Sequence, residues 1–225
     1  MIINIINGSQ KTGESNTGLI LDYLNNLIKE KHKVKLFYSG IKTFTDDIFD
    51  EIISGDVIIL AFPLFGDYIP SNTLKMLVEL EEKIKYKQKH LQSFSFASAT
   101  AKKLIMYLIV NNGFYEGKQN HIAFEVIKNW CDHSGVQFGG GIGQGAGEMI
   151  GQTKQFPLNK GPFNNLARTL QKMADNIEFK MPMEIIYLSP YFPKLLWIFM
   201  AERHWHSLAR NNKLNKKDIR KKIIP

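Results

Sequence analysis

The chain opens with MIINIIN at residues 1–7 and GSQKTGESNT at residues 8–17, and this stretch decides how the rest is interpreted. The first part is mostly apolar, whereas the second is polar and bracketed by glycines. A segment with apolar residues at helical spacing follows, including Leu19, Tyr23 and Leu27. Together these features predict a buried strand, a polar turn and an amphipathic helix, in that order.

The polar turn has the composition of a phosphate-binding loop. Lys11 adds a positive charge, and the helix after the turn directs unpaired backbone N–H groups into it. The glycines at positions 8 and 13 allow close approach of a ligand or a positive φ angle. The short side-chain donors are Ser9, Thr12, Ser15, Asn16 and Thr17. An ordinary strand-to-helix turn also favours Gly, Ser and Asn, and residues 15–17 are equally typical of a helix N-cap, so both interpretations stay open.

Two common nucleotide-binding motifs are excluded in this turn. A Walker loop ends in Gly-Lys-Ser/Thr, whereas Gly8 is followed by Ser9 and Gly13 by Glu14. The dinucleotide motif GxGxxG fails because its second glycine is missing. A later run at 139–147, GGGIGQGAG, contains similar spacings but does not clearly open a helix.

Apolar runs alternate with helical patterns along the chain. Strands are predicted at 1–7, 34–38, 57–62, 103–110 and 136–142, and helices at 16–31, 49–53, from 71 onward, 119–133 and 164–177, with a small-residue turn region at 95–101. The strand at 57–62 is almost entirely apolar, as expected for a parallel strand covered on both faces. This alternation predicts an α/β fold with an open parallel sheet. Ligands of such sheets bind at the carboxyl ends of the strands, so the loops at 8–17, 63–70 and 111–117 are expected at one edge.

These three loops resemble those of the flavodoxin-like NAD(P)H-dependent oxidoreductases, the FMN reductase and quinone reductase group. The resemblance covers roughly residues 1–180 and rests on GSQKTGESNT, FPLFGDYIPSNTLKMLVE and NNGFYEG after the first, third and fourth strands. It implies a doubly wound five-stranded sheet of order 2-1-3-4-5 and bound FMN. The implied reaction passes electrons from NADPH or NADH to a quinone, flavin or other small acceptor. Because the cofactor carries this chemistry, no catalytic side chain is predicted.

The resemblance also assigns cofactor-binding residues. In the family the first loop holds the FMN phosphate, the PxYxxxxPxxLK segment lines the isoalloxazine ring, and the loop after the fourth strand faces the flavin pyrimidine. The matching residues are Ser9, Lys11, Ser15, Asn16 and Thr17, then Pro63, Leu64, Phe65 and Gly66, and finally Asn111, Asn112, Gly113 and Phe114. Phe65 replaces the usual tyrosine, which removes a hydroxyl but keeps a ring for stacking. The alternative is that these aromatic residues only cover the sheet ends, and that Pro63 and Gly113 are ordinary turn residues.

Composition limits the function classes further. Hydrophobic residues make up 44% and charged residues 22%, which is typical of a globular protein. The single cysteine, Cys131, excludes an internal disulfide and a cysteine-ligated zinc or iron–sulfur site within one chain, and no metal site is predicted. We expect Cys131 to be a buried small hydrophobic residue and His121 to be an exposed residue in the first turn of a helix. The start of the chain lacks the features of a secretory leader, which predicts a cytoplasmic protein.

Residues 181–225 are predicted to form a basic, aromatic-rich extension to the domain at 1–180, and to be mainly helical. Ten Lys or Arg side chains stand against three acidic ones from Lys180 onward, so the preceding residues are nearly neutral. Such a helix can clamp a partner subunit, cover the mouth of a site, or lie on an anionic membrane surface. Its apolar part is too short to cross a membrane. The basic run carries no nucleic-acid recognition motif, and no nucleic-acid partner is expected.

Three further expectations concern partners and function. The resemblance implies a homodimer, and the extension allows peripheral membrane contact. One functional alternative is a flavodoxin that carries electrons without nicotinamide activity; such carriers are usually acidic with a TGNT-type loop, whereas this chain has GSxxxxSNT and a net charge of +8. The other alternative is a non-catalytic module of the same fold that docks on a membrane or a protein.

Overall fold

In the computed structural model, which describes residues 1–40, 43–93, 104–215 and 217–221, the predicted alternation of strands and helices builds one parallel sheet. The small-residue turn region predicted at 95–101 lies outside the described residues. The chain divides into two compact units, Met1–Pro190 and Tyr191–Pro225. The sheet belongs entirely to the first unit.

The first unit contains six strands and six α-helices among the described residues. The strands are β1 (Ile2–Asn7), β2 (Lys33–Tyr38), β3 (Val57–Pro63), β4 (Ile105–Asn111), β5 (Gln137–Gln144) and β6 (Ile185–Leu188). The helices are α1 (Asn16–Ile28), α2 (Asp46–Ser54), α3 (Ser71–Ser93), α4 (His121–Ser134), α5 (Gly147–Gln152) and α6 (Asn164–Glu178), with a 3₁₀ turn at Gly117–Asn120. The predicted strands and the helices at α1, α2, α3, α4 and α6 are therefore present, with small differences at their ends.

The strand order is β2-β1-β3-β4-β5-β6, and all pairs are parallel. The predicted order 2-1-3-4-5 is confirmed, and a sixth strand is added to it. This strand, β6, pairs with the second half of β5 from Gly141 opposite Ile185 to Gln144 opposite Leu188. The sheet thus continues past residue 180, and β2 and β6 are its outermost strands.

The two central strands are buried on both faces, as their apolar sequences predict. All seven residues of β4 are buried, and so are the first six of β3. Alternate residues of β3 pack in one core cluster with α3 and α4, for example Leu60 with Leu77 and Phe124. Helix α1 contacts both α5 and α6. The rigid centre of the sheet holds the carboxyl ends of β1, β3 and β4 in place.

The glycine-rich run at 139–147 forms most of β5 rather than a nucleotide-binding turn. The ladder between β4 and β5 shifts register between Met106 and Leu108, which is typical of a β-bulge. Gly140 has a φ of +82°, in the left-handed region that glycine tolerates best. A Cβ on Gly143 would lie 2.7 Å from the ring of Tyr187 in β6. The glycines therefore permit close packing inside the sheet.

The second unit contains the helix α7 (Lys194–Asn211) and a 3₁₀ turn at Asp218–Arg220. The helical character expected for the extension is confirmed. In the ranges that the structure describes, no helix is both long enough and apolar enough to cross a membrane.

Candidate functional site

Three loops follow β1, β3 and β4 at the carboxyl edge of the sheet, where the winding direction reverses between β1 and β3. Asn111, the last residue of β4, connects them. Its backbone oxygen accepts a 2.8 Å hydrogen bond from the N–H of Leu64, and its side-chain oxygen accepts a 2.7 Å hydrogen bond from the hydroxyl of Thr17. Pro63 is its register partner in β3. Predicted residues from all three loops thus meet at one point.

The first loop is built by its main chain. The N–H of Gly8 donates to the oxygen of Ala61 in β3 at 2.7 Å, and the N–H of Ser9 donates to Oδ1 of Asn7 at 2.9 Å. A Cβ on Gly8 would lie 2.9 Å from the Cβ of Phe62, so this glycine is needed for the loop to approach β3. At Gly13, by contrast, a Cβ would meet no atom within 4 Å. The loop is tightly held at its start and open near its end.

The start of α1 uses its polar side chains within the protein. Ser15 is the N-cap, and its Oγ accepts a 3.0 Å hydrogen bond from the N–H of Gly18. The side chain of Asn16 accepts from the N–H of Gly151 at 3.0 Å, while that of Thr17 is bonded to Asn111. The N-cap interpretation is therefore confirmed for Ser15. The groups that this turn leaves for a ligand are its first backbone N–H groups, which have no acceptor inside the helix.

The second loop turns back on itself immediately after β3. Phe65 and Tyr68 form an antiparallel bridge with two backbone hydrogen bonds of 3.0 Å. Gly66 and Asp67 between them both have positive φ, +53° and +70°, which is the geometry of a type I′ turn. The ring of Phe65 is 47% exposed. The backbone of this loop is therefore fixed, and it presents an exposed aromatic ring beside the end of β3.

The third loop is held by Asn112. Its side-chain oxygen accepts from the N–H of Phe114 at 2.8 Å, and its side-chain nitrogen donates to the oxygen of Glu116 at 3.2 Å. Asn111 and Asn112 are both buried, so their side chains position the loop. Gly113 is exposed, and the ring of Phe114 is half-exposed. Of the predicted residues of this loop, only Gly113 and Phe114 have surface available for a ligand.

A cleft of about 630 Å³ lies beside the first loop, within the size range of small-molecule sites. Lys11, Thr12 and Gly13 line it together with Tyr38 and Phe44, which lie at the end of β2 and in the segment after it. Phe65 and Phe114 are not among its lining residues. The cleft therefore joins the predicted phosphate loop to the β2 side of the sheet. Sequence reasoning missed Tyr38 and Phe44, although Tyr38 ends a predicted strand at the same edge.

The charges of the first loop suit an anion. Its only carboxylate, Glu14, pairs with Lys154 at 2.8 Å. Lys11 is exposed and has no carboxylate partner in the part of the chain that the structure describes. The ammonium group of Lys11, a helix N-terminus and an open position at Gly13 fit a phosphate monoester, and the exposed rings of Phe65 and Phe114 in the next two loops fit a flat aromatic group. The donor set is therefore compatible with FMN.

Two other predicted residues occupy the positions expected of them. Cys131 is fully buried, and burial, assisted by the charge of Asp132, raises the pKa of its thiol to about 12. A thiol with such a pKa is protonated at neutral pH and is a poor nucleophile. His121 is exposed in the first turn of α4. Both interpretations are confirmed.

Comparison with solved structures identifies the fold. An NADH:FMN oxidoreductase in its apo form superposes with a TM-score of 0.55 at 12% identity, over 81% of this chain and 91% of that one. An NADPH-quinone reductase from P. pentosaceus gives 0.53 at 12% identity, over 77% and 98%. A short-chain flavodoxin associated with a bacterial microcompartment gives 0.51 at 11% identity, over 80% and 98%. The chain has the flavodoxin fold.

At these identities the similarity establishes the flavodoxin-like fold alone, and at that level the predicted resemblance is confirmed. No protein-family model matches the chain, and no curated protein matches it significantly. The flavodoxin-like sheet explains why the loops after β1, β3 and β4 are neighbours.

Proposed function

We propose that this protein is an FMN-dependent oxidoreductase that oxidises NADH or NADPH and passes the electrons to a quinone, a flavin or another small acceptor. The observation that supports this most is the meeting of the three edge loops at Asn111 through hydrogen bonds of 2.7 and 2.8 Å. Such a junction would place, side by side, an anion-binding turn, an aromatic wall and a backbone surface for the cofactor. Two of the structural neighbours are themselves described as an NADH:FMN oxidoreductase and an NADPH-quinone reductase.

The first loop would hold the phosphate of FMN. Lys11 would supply the charge, and the N–H groups of Asn16 and Thr17 would donate hydrogen bonds along the axis of α1. The hydroxyl of Ser9 is buried and accepts a 3.4 Å hydrogen bond from the N–H of Lys11. This bond orients the main chain at Lys11. The side chains of Ser15 and Thr17 act indirectly, because they hold the helix start and the Asn111 junction.

The second and third loops would hold the isoalloxazine ring. Phe65 and Phe114 offer ring surfaces, while the exposed backbone at Gly66 and Gly113 allows close approach. When bound, FMN supplies hydride acceptance and one- or two-electron release; the protein supplies binding, orientation and electrostatics. No side chain of the site is required as an acid or a base.

The visible absorption spectrum of the purified protein, followed by FMN titration, tests the cofactor assignment. We expect flavin absorption or stoichiometric uptake of FMN. We also expect that, with a quinone as acceptor, the protein oxidises NADH or NADPH faster than the same concentration of free FMN does. Binding of FMN without such turnover would assign the protein as an electron carrier. A colourless protein that takes up no FMN would instead support the non-catalytic alternative.

Replacing Lys11 by Gln is expected to weaken FMN binding about tenfold, because one charge-assisted contact to the phosphate is lost. The dissociation constant measured by quenching of flavin fluorescence gives this value, and the difference from the unmodified protein should shrink at high salt. Lys89→Gln is the matched control, since it removes the same charge from an exposed position on α3. Equal affinities for both variants would contradict the role of Lys11.

Replacing Phe65 by Ala is expected to weaken FMN binding about tenfold and to change the flavin absorption bands, because a stacking surface is lost. Tyr38→Ala is the matched control, because Tyr38 is an aromatic residue of similar exposure, 43% against 47% for Phe65. Tyr38 differs in position, since it lines the cleft on the β2 side and Phe65 does not. Both variants are compared by FMN titration. If Tyr38→Ala has the larger effect, the flavin ring occupies the cleft and the assignment of Phe65 is wrong.

A further inference from the structure

The first half of α7 exposes large apolar side chains over more than half of its circumference. Leu195 is 83% exposed and Phe199 54%. The exposed apolar residues of this helix include Leu195, Leu196, Ile198, Phe199, Met200 and Trp205. Large contiguous apolar surface of this kind is unfavourable in water and usually marks an interaction site.

The arrangement of these residues around the helix favours immersion over packing on a flat partner. Successive residues of an α-helix are about 100° apart, so the exposed side chains from Leu195 to Met200 span an arc of about 200° around the axis, with Ile198 and Met200 at its two edges. A helix that packs on one protein surface normally has a single apolar stripe. A helix that lies in the plane of a lipid bilayer interface is contacted by lipid from below and from both sides, so the acyl region can cover an arc of this width.

The charge of the same unit specifies which kind of bilayer. Residues 191–225 contain nine Lys or Arg side chains but only two acidic ones, Glu202 and Asp218. Asp218 is already paired with Lys221 at 2.9 Å. The remaining 190 residues carry twenty basic and nineteen acidic side chains, so a second copy of this chain offers no net negative charge. Anionic lipid headgroups provide both the negative charge and the adjacent apolar phase.

We infer that α7 docks on an anionic lipid surface, with residues 195–201 entering the acyl boundary and the basic residues after them contacting headgroups. Interfacial helices lie about 5–10 Å deep, and an α-helix with its side chains is about 10–12 Å across, so this depth covers about half of the circumference or more. Trp205 follows this segment, where an aromatic ring is favoured between the apolar and polar regions. Arg203 and Arg210 lie on the same helix, after the apolar segment.

Co-sedimentation of the full chain with vesicles tests the inference. We expect binding to phosphatidylcholine vesicles that contain phosphatidylserine, about tenfold weaker binding to phosphatidylcholine alone, and partial release by salt. The double variant Arg210→Glu with Lys213→Glu should weaken binding to the anionic vesicles by about 30-fold or more. The control is Lys89→Glu with Lys128→Glu, which changes the net charge equally on exposed positions of the first unit and should leave binding unchanged.

A second variant tests the apolar half separately. Leu195→Ser with Phe199→Ser should reduce vesicle binding at least tenfold while circular dichroism of the folded protein stays unchanged. Equal binding by both charge variants, or no preference for anionic vesicles, would overturn the inference. The inference would also be overturned if the protein did not bind vesicles and instead formed a dimer in sedimentation equilibrium, and if the Leu195→Ser, Phe199→Ser variant were monomeric. FMN binding measured on the same samples separates a failure here from a failure of the proposed function.

Discussion

Replacing Gly141 by Ala is expected to lower the free energy of unfolding by about 3 kcal/mol or more. A Cβ at this position in β5 would overlap the backbone of Leu108 in β4, approaching its carbonyl carbon to 2.8 Å and the ring of Phe124 to 3.0 Å. Both neighbours are fully buried, so neither can move away without disturbing the sheet or the core. Urea unfolding followed by circular dichroism measures the change.

Gly13→Ala is the matched control for this substitution. Its Cβ would have no atom within 4 Å, and the residue does not have a positive φ. We therefore expect a free energy of unfolding within about 0.5 kcal/mol of that of the unmodified protein, or slightly higher because the unfolded chain is less flexible. Similar stabilities for the Gly141 and Gly13 variants would show that β5 is not packed as described.

Replacing Thr17 by Val is expected to destabilise the FMN-free protein by about 2 kcal/mol. The two side chains have nearly the same shape, but Val cannot donate the 2.7 Å hydrogen bond to Oδ1 of Asn111. Asn111 is 4% exposed, so its oxygen would lose its partner without gaining water. Differential scanning calorimetry in the absence of ligand gives the change in stability.

Thr17→Ser keeps the hydroxyl and is the control for the lost hydrogen bond. It should retain most of the stability, apart from the loss of one buried methyl group worth about 1 kcal/mol. If Val proves more stable than Ser at this position, the junction between α1 and β4 depends on packing and not on the hydrogen bond.

The fold could be predicted because its central strands leave a clear signal in the sequence. Strands β3 and β4 are buried on both faces and are therefore continuously apolar, and Gly135 ends α4 with a left-handed cap at a φ of +74°. Such local patterns are sufficient to order strands and helices along the chain. The order of the strands within the sheet came from the resemblance of the loops.

The sixth strand could not be predicted because its signal is weak. Its four residues, Ile185–Leu188, are all only partly buried and lie between prolines at 182 and 190. Tyr187 packs where Gly143 leaves room in β5, and this complementarity joins residues more than 40 positions apart. A single sequence contains both residues but not the fact that they are neighbours.

For the candidate site, the sequence indicated which loops converge but not what each side chain does. Asn112 and Ser15 resemble ligand contacts in the sequence, yet their side chains are used in holding a loop and a helix end. Conversely, Tyr38 and Phe44 carry no motif and line the cleft beside Lys11. Residue type predicts chemical capacity, whereas the partner that uses this capacity depends on tertiary packing.

The two flanks of the sheet have consequences for self-association. β2 and β6 each have a neighbouring strand on one side only within the described sheet, and exposed strand flanks can recruit strands from other molecules. β2 carries the exposed Lys33, whose charge opposes the addition of another strand, whereas Lys35 is paired with Glu51. β6 is only four residues long and is soon followed by Pro190, which has no N–H to donate. The folded chain is thereby protected on both sides against growth into fibrils.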